Sequence, residues 1–290
     1  MRKWFLLMLM TGLLAAFGMQ ASAAEGPVLA LGADLSASQR AAVFSEMGIT
    51  EEQAASYQTI YITNDMEHQY LDASLGASVV GTHSLSSVLL IPQESGTGLS
   101  VETHNINYCT ISMYRNALLT AGVEDANVIV AAPSSISGTA ALIGAVKAYE
   151  AYSGAEVNTN AFEVATDELV LTGELTDELN SEQVSDLIAY LKQQVAENGI
   201  DDPDQLADLV RKAAAELGVD LTDEQVSKIV DLLLKLSKLD IDADKLKSQA
   251  KELYDKINSL GIKVDKEKVG NFITRFISSV WELIRSFIEK

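Results

Sequence analysis

One cysteine, four prolines and three histidines in 290 residues leave little material for the chemistries those residues serve. With Cys109 alone, no intramolecular disulfide can form, so stability must come from buried cores. Basic residues are scarce as well: 21 Lys and Arg stand against 41 Asp and Glu, a formal net charge of −20. A polyanion of this size repels nucleic acid and anionic lipid at long range, which argues against both as partners. Beyond the N-terminal stretch no run of about 18 uninterrupted apolar residues occurs, so no transmembrane span is expected. The patterns G-x-x-x-x-G-K-[ST], G-x-G-x-x-G and G-x-S-x-G are all absent, so phosphate-loop, dinucleotide and serine-hydrolase readings have no local support.

The most informative stretch that is present lies at the start. Arg2 and Lys3 precede an almost wholly apolar run from Trp4 to Phe17, and Ala21-Ser22-Ala23 supplies a small–x–small cleavage pattern. Residues 1–23 therefore read as a signal peptide cut after Ala23. No Cys follows the cut to carry a lipid, and Ser286–Lys290 has no wall-sorting pattern. The expected location is extracellular, or the extracytoplasmic face of the cell envelope.

The remainder of the chain divides by its patterning into an α+β domain over 24–160 and a helical domain over 161–290. Ser36 with Gln39 and Thr50 with Gln53 are capping boxes, so two short helices should open the first domain. Strands are expected at Thr59–Ile62 and Ser87–Ile91, with Leu99–Ile106 as the hairpin partner of the latter. A buried strand at Asn127–Ala132 should stop at Pro133. Helices are expected at Asp65–Leu75, Thr110–Thr120 and Thr139–Tyr152. The order from Thr59 is thus β-α-β-β-α-β, which predicts a ferredoxin-like sandwich with extra helices covering one face of a mostly antiparallel sheet. Beyond residue 160, apolar stripes such as Val184, Leu187, Ile188, Leu191 and Val195 recur at helical spacing. Loose Gly-Ile and Gly-Val phrases punctuate them roughly every twenty residues, as in an irregular all-α helical bundle.

Few motifs carry chemistry. Ser134, Ser135, Ser137, Gly138 and Thr139 join a buried strand to a long helix, where free backbone amides can hold a ligand group. They are the candidate ligand-binding residues, although ordinary N-capping by Ser137 accounts for the same letters. In the last helix Phe272, Phe276, Val280, Ile284 and Phe287 form an apolar stripe suited to a partner or membrane interface, or equally to closing a bundle. Asp240, Asp242 and Asp244 begin like a calcium loop, but Lys245 and Lys251 stand where Gly and Glu are required. His68, His83 and His104 share no ligand spacing with one another or with Cys109, so no metal, no cofactor and no catalytic residue is assigned.

Several of these segments carry a family likeness. Leu31-Gly32-Ala33-Asp34-Leu35-Ser36, Leu90-Ile91-Pro92, Met113–Gly122, Val130–Pro133 and Ser137–Leu142 together resemble the YpuA-like secreted bacterial proteins (DUF1002), a domain of unknown function. The resemblance implies a Gram-positive, extracytoplasmic setting and supplies no catalytic residues. The expected function is a non-enzymatic binding or scaffolding module, with cell-wall material or other exported proteins as partners. The alternative is an extracytoplasmic enzyme acting on wall material through His83 or His104. A histidine beside a carboxylate, Cys109 or a serine in a pocket would favour that alternative.

Overall fold

The computed structural model describes residues 26–72, 75, 80–179, 183–239 and 241. The leader, the Asp242–Asp244 segment and the stripe of Phe272, Phe276, Val280, Ile284 and Phe287 lie outside the described residues.

The chain is a mixed α+β protein with a five-stranded mixed sheet and, among the described residues, nine helices. In chain order these are β1 (Val28–Gly32), α1 (Ala37–Glu46), α2 (Glu51–Ser56), β2 (Gln58–Ile62), α3 (Asn64–Leu71), β3 (Ser87–Pro92) and β4 (Leu99–Ile106). Then come α4 (Ile111–Thr120), β5 (Ala126–Ile136), α5 (Thr139–Ser153), α6 (Thr159–Leu179), α7 (Gln183–Asn198), α8 (Pro203–Leu217) and α9 (Asp223–Leu236).

The sheet order is β2-β1-β3-β5-β4. β1 runs parallel to β2 and β5 parallel to β4, while β3 is antiparallel to both β1 and β5. This is not the ferredoxin-like arrangement. The expected hairpin of Ser87–Ile91 with Leu99–Ile106 does not form either, because β5 inserts between the two strands. The first difference traces to β1, which the alternation rule passes over. Val28, Leu29, Ala30 and Leu31 are all at most 2% exposed, so the strand has no polar face to reveal its period. Val28 and Ala30 join the core under α3, α4 and α5, while Leu29 and Leu31 pack with Val43 and Phe44 of α1 and with Met47, its C-cap. Helices therefore cover both faces of the sheet rather than one. Each leucine fully buried in this way contributes about 2 kcal/mol.

Local chemistry sets the helix starts. Ser36–Gln39, Thr50–Gln53 and Thr222–Gln225 are reciprocal capping boxes, and the Thr110 side chain accepts from the Met113 amide. α5 departs from expectation: its N-cap is Gly138 in the left-handed region (φ 91°), and Ser137 is not the cap.

β5 also runs past Pro133 to Ile136. β4 shifts register between His104 and Ile106, and the Asn105 side chain at this bulge donates to the Ala132 carbonyl. A proline is tolerated opposite such an irregularity because the ladder there needs no amide from it. Pairing resumes at Ile106 and Ile136, which carries the strand on to the head of α5.

Helix α6 belongs to two cores. Phe162, Ala165, Leu169 and Val170 pack with the sheet and with α4 and α5, whereas Val164, Leu171 and Leu175 pack with α7, α8 and α9. Where the two meet, Lys192 of α7 and Glu168 of α6 form an ion pair of 2.8 Å, each side chain 1% exposed. The lysine also donates to the Asn116 carbonyl at 2.7 Å and to Thr120 Oγ1 at 3.0 Å. The Thr120 hydroxyl in turn donates to the second carboxylate oxygen. Burial lowers the Lys192 pKa and the Glu168 carboxylate opposes that shift. Every polar atom at the tip of this pair has a partner, as a buried ion pair needs in order to be tolerated.

Candidate functional site

The head of α5 opens into a cavity of about 300 Å³. One wall comes from the strand-to-helix turn, with Ile136, Ser137, Gly138, Thr139 and Ala140. The opposite wall is the segment leading into β3, with Val80, Gly81, Thr82, His83, Leu85 and Ser86, and Glu67 of α3 completes the lining.

The turn is fixed by its neighbours. The Asn107 and Cys109 amides donate to the Ile136 and Ser137 carbonyls at 2.9 and 3.1 Å, and the Tyr114 hydroxyl donates to the Gly138 carbonyl. A Cβ at Gly138 would fall 2.4 Å from the Tyr114 hydroxyl oxygen and 2.8 Å from Ile106 Cγ2. Positive φ and close approach thus both demand glycine here. Helix geometry leaves the Thr139 and Ala140 amides without intrahelical acceptors, while the Ala141 amide donates to Ser86 Oγ at 3.0 Å.

The opposite wall is fixed by Asp34, just beyond β1. Its carboxylate accepts from the Ser84 amide at 2.7 Å, and its own amide donates to the Ser84 carbonyl at 3.1 Å. Gly32 lets this segment approach, since a Cβ there would lie 2.3 Å from the Ser84 carbonyl oxygen.

Glu67 dominates the electrostatics of the cavity. It is 1% exposed, and Thr139 Oγ1 donates to its Oε2 at 2.8 Å. Its Oε1 is buried with no hydrogen-bond partner among the described residues, and neither has the buried Ser84 hydroxyl. Burial raises the Glu67 pKa, partly offset by the Thr139, Ser84 and Asn64 side chains and by His68. A carboxylate in this position sits at the positive end of a 15-residue helix; its Oε1 makes no hydrogen bond among the described residues, while the nearby Ser84 and Asn64 side chains help to hold its charge.

Of the residues selected from sequence, Ser137, Gly138 and Thr139 line the cavity; Ser134 and Ser135 are exposed at the end of β5 and are not among its lining residues. His83 stands in the lining, its Nδ1 2.9 Å from Thr82 Oγ1. His104 lies elsewhere, with Nδ1 3.6 Å from Glu46 of α1, and His68 pairs with Asp72 at 2.7 Å. Cys109 is 2% exposed and burial pushes its thiol up to about 12, so it holds its proton at neutral pH. Glu67 escaped sequence reasoning, although a signal existed: it stands four residues before the buried Leu71, a charge on the apolar face of a helix.

A second cavity of about 150 Å³ lies beside Lys192, Val195 and Leu236, but the lysine head is already fully engaged with Glu168, Thr120 and Asn116. Among the described residues no group of three or more His, Cys, Asp or Glu is placed to hold a metal ion. Nor is any helix there long and apolar enough to cross a membrane.

Residues 31–253 match the family described as "Protein of unknown function (DUF1002)". The uncharacterized protein YpuA of Bacillus subtilis (strain 168) is 40% identical over 276 residues, covering 93% of this chain and 92% of that protein. No solved structure matches.

Proposed function

The chain belongs to the DUF1002 family, and from that premise we propose that it is an exported binding protein of the cell envelope. In this reading the cavity at the head of α5 is its ligand site, and the helical part is a platform for wall material or other exported proteins. The observation that carries the ligand site is Glu67: a buried carboxylate with an unpaired oxygen in a cavity is costly to keep unless something else completes it. The segments that bear the family likeness also build this cavity, through Gly32 and Asp34, through Tyr114, and through Ser137–Thr139. Export rests on Arg2, Lys3, the apolar run and Ala21–Ala23.

Two measurements test this reading. Fractionation of cells producing the full chain should place a product shortened by 23 residues outside the membrane barrier; an uncleaved cytoplasmic product overturns export. Thermal-shift screening of that product against small polar compounds should find ligands whose effect disappears in Glu67→Gln. A ligand effect that survives the substitution places binding elsewhere.

A second reading has one observation in its favour. His83 lines the same cavity as Glu67, Ser86 and Ser137, a grouping in which a histidine can serve as a general base. An enzyme acting on wall material would lose turnover of that material in His83→Gln, whereas a binding protein would keep its ligand within about threefold.

A further inference from the structure

The residues lining the cavity at the head of α5 carry two complementary groups, linked through Thr139. One is Oε1 of Glu67, buried and without a partner among the described residues. The other is the pair of amide N–H groups of Thr139 and Ala140, which open α5 and lack intrahelical acceptors. Thr139 ties them together, since its hydroxyl donates to Glu67 Oε2 at 2.8 Å while its own amide starts the helix.

A ligand that answers both must carry a donor and an acceptor on neighbouring atoms. A simple anion would satisfy the amides but would meet the Glu67 carboxylate and the field of a chain with net charge −20. A simple cation would satisfy Glu67 but leave the amides unanswered and face the positive helix end. We propose that the site takes a compact zwitterion, an α-amino acid, with its ammonium group on Glu67 Oε1 and its carboxylate on the Thr139 and Ala140 amides. In an α-amino acid both groups hang from one carbon, which suits two subsites joined through the single residue Thr139. The ligand is neutral overall, so the acidity of the chain does not oppose its approach. Val80, Leu85 and Ile136 supply an apolar surface for a small side chain, and about 300 Å³ limits its size. An ammonium group would also hold ionised a carboxyl that burial otherwise pushes toward its neutral form.

The zwitterion presupposes that the cavity is the ligand site, and the experiment separates the two claims. Calorimetric titration uses the chain lacking only residues 1–23, with L-alanine, ethylamine, propionate, N-acetyl-L-alanine, glucose and N-acetylglucosamine as probes. L-Alanine should bind, with each one-ended or capped probe at least about tenfold weaker, because each lacks a charge-assisted contact. Glu67→Gln should weaken L-alanine by about tenfold or more without lowering the melting temperature. N-Acetyl-L-alanine binding as tightly as L-alanine, or L-alanine binding unchanged in Glu67→Gln, overturns the proposal. Binding of a sugar but not of L-alanine, lost in Glu67→Gln, overturns the zwitterion while keeping the site. No binding by any probe overturns the zwitterion and counts against the site.

Discussion

Among the described residues two glutamates are buried almost completely, and the fold treats them in opposite ways. Glu168 sits where α4, α6 and α7 meet, and both of its oxygens are occupied, one by Lys192 and one by Thr120. Glu67 sits at a cavity, with one oxygen held by Thr139 and the other without a hydrogen bond among the described residues. The first is a carboxylate whose environment is finished by the fold itself. On the proposed function, the second is finished when a ligand enters the cavity. Two acids of like burial thus differ in how many of their lone pairs the fold satisfies, and it is this count that sets Glu67 apart as the candidate ligand contact.

That contrast can be broken most forcefully at Glu168. Glu168→Gln strands the Lys192 charge in the interior, and chemical denaturation should show a loss of about 3–5 kcal/mol. Replacing both partners at once, Glu168→Leu with Lys192→Met, should recover most of that loss, since no unpaired charge is left behind. If the double variant is as unstable as the single one, the pair is not a self-contained unit. Gly138→Ala comes next, because it meets both the left-handed backbone and the Tyr114 hydroxyl. A loss of about 2–3 kcal/mol is expected, with ligand binding impaired alongside it.

Glu67→Gln should do the reverse of Glu168→Gln and stabilise the free protein, by on the order of 1 kcal/mol. The sign comes from linkage. Burial raises the Glu67 pKa in the folded state, so the ionised acid disfavours folding, and this penalty grows as pH rises from the ordinary carboxylate range through the raised value. Melting curves should therefore show the variant ahead of the parent at neutral pH and level with it below the ordinary carboxylate range. A variant that is less stable at neutral pH would make Glu67 a second structural acid. The smallest effect is expected from Thr139→Val, which removes one hydroxyl donor from that carboxylate, about 0.5–1 kcal/mol by the same melts.

Much of the local structure was legible in the chain. The capping boxes at Ser36, Thr50 and Thr222 announce their helices because the signal lies within four residues and needs no tertiary partner. The illegible parts depended on partners distant in sequence. β1 hides because both of its faces are buried. The hairpin expectation fails because β5, arriving more than thirty residues after β3, takes the position beside it. Three residues of the candidate site were visible as a hydroxyl-rich turn, but its acid was not, since Glu67 reaches Thr139 across 72 positions of chain. Glu67 and Lys192 do leave a trace, as charges set on otherwise apolar helical stripes beside Leu71 and Ile188.

Helix α6 carries a further consequence. Its side chains divide between two different cores, with Leu169 and Val170 in one and Leu171 in the other. Adding or removing a single residue within it would rotate everything downstream by about 100° and hand each side chain to the wrong neighbour. Loops elsewhere in the chain can lengthen or shorten over evolutionary time, but this helix behaves like the fixed teeth of a gear, with its length locked by two meshes at once.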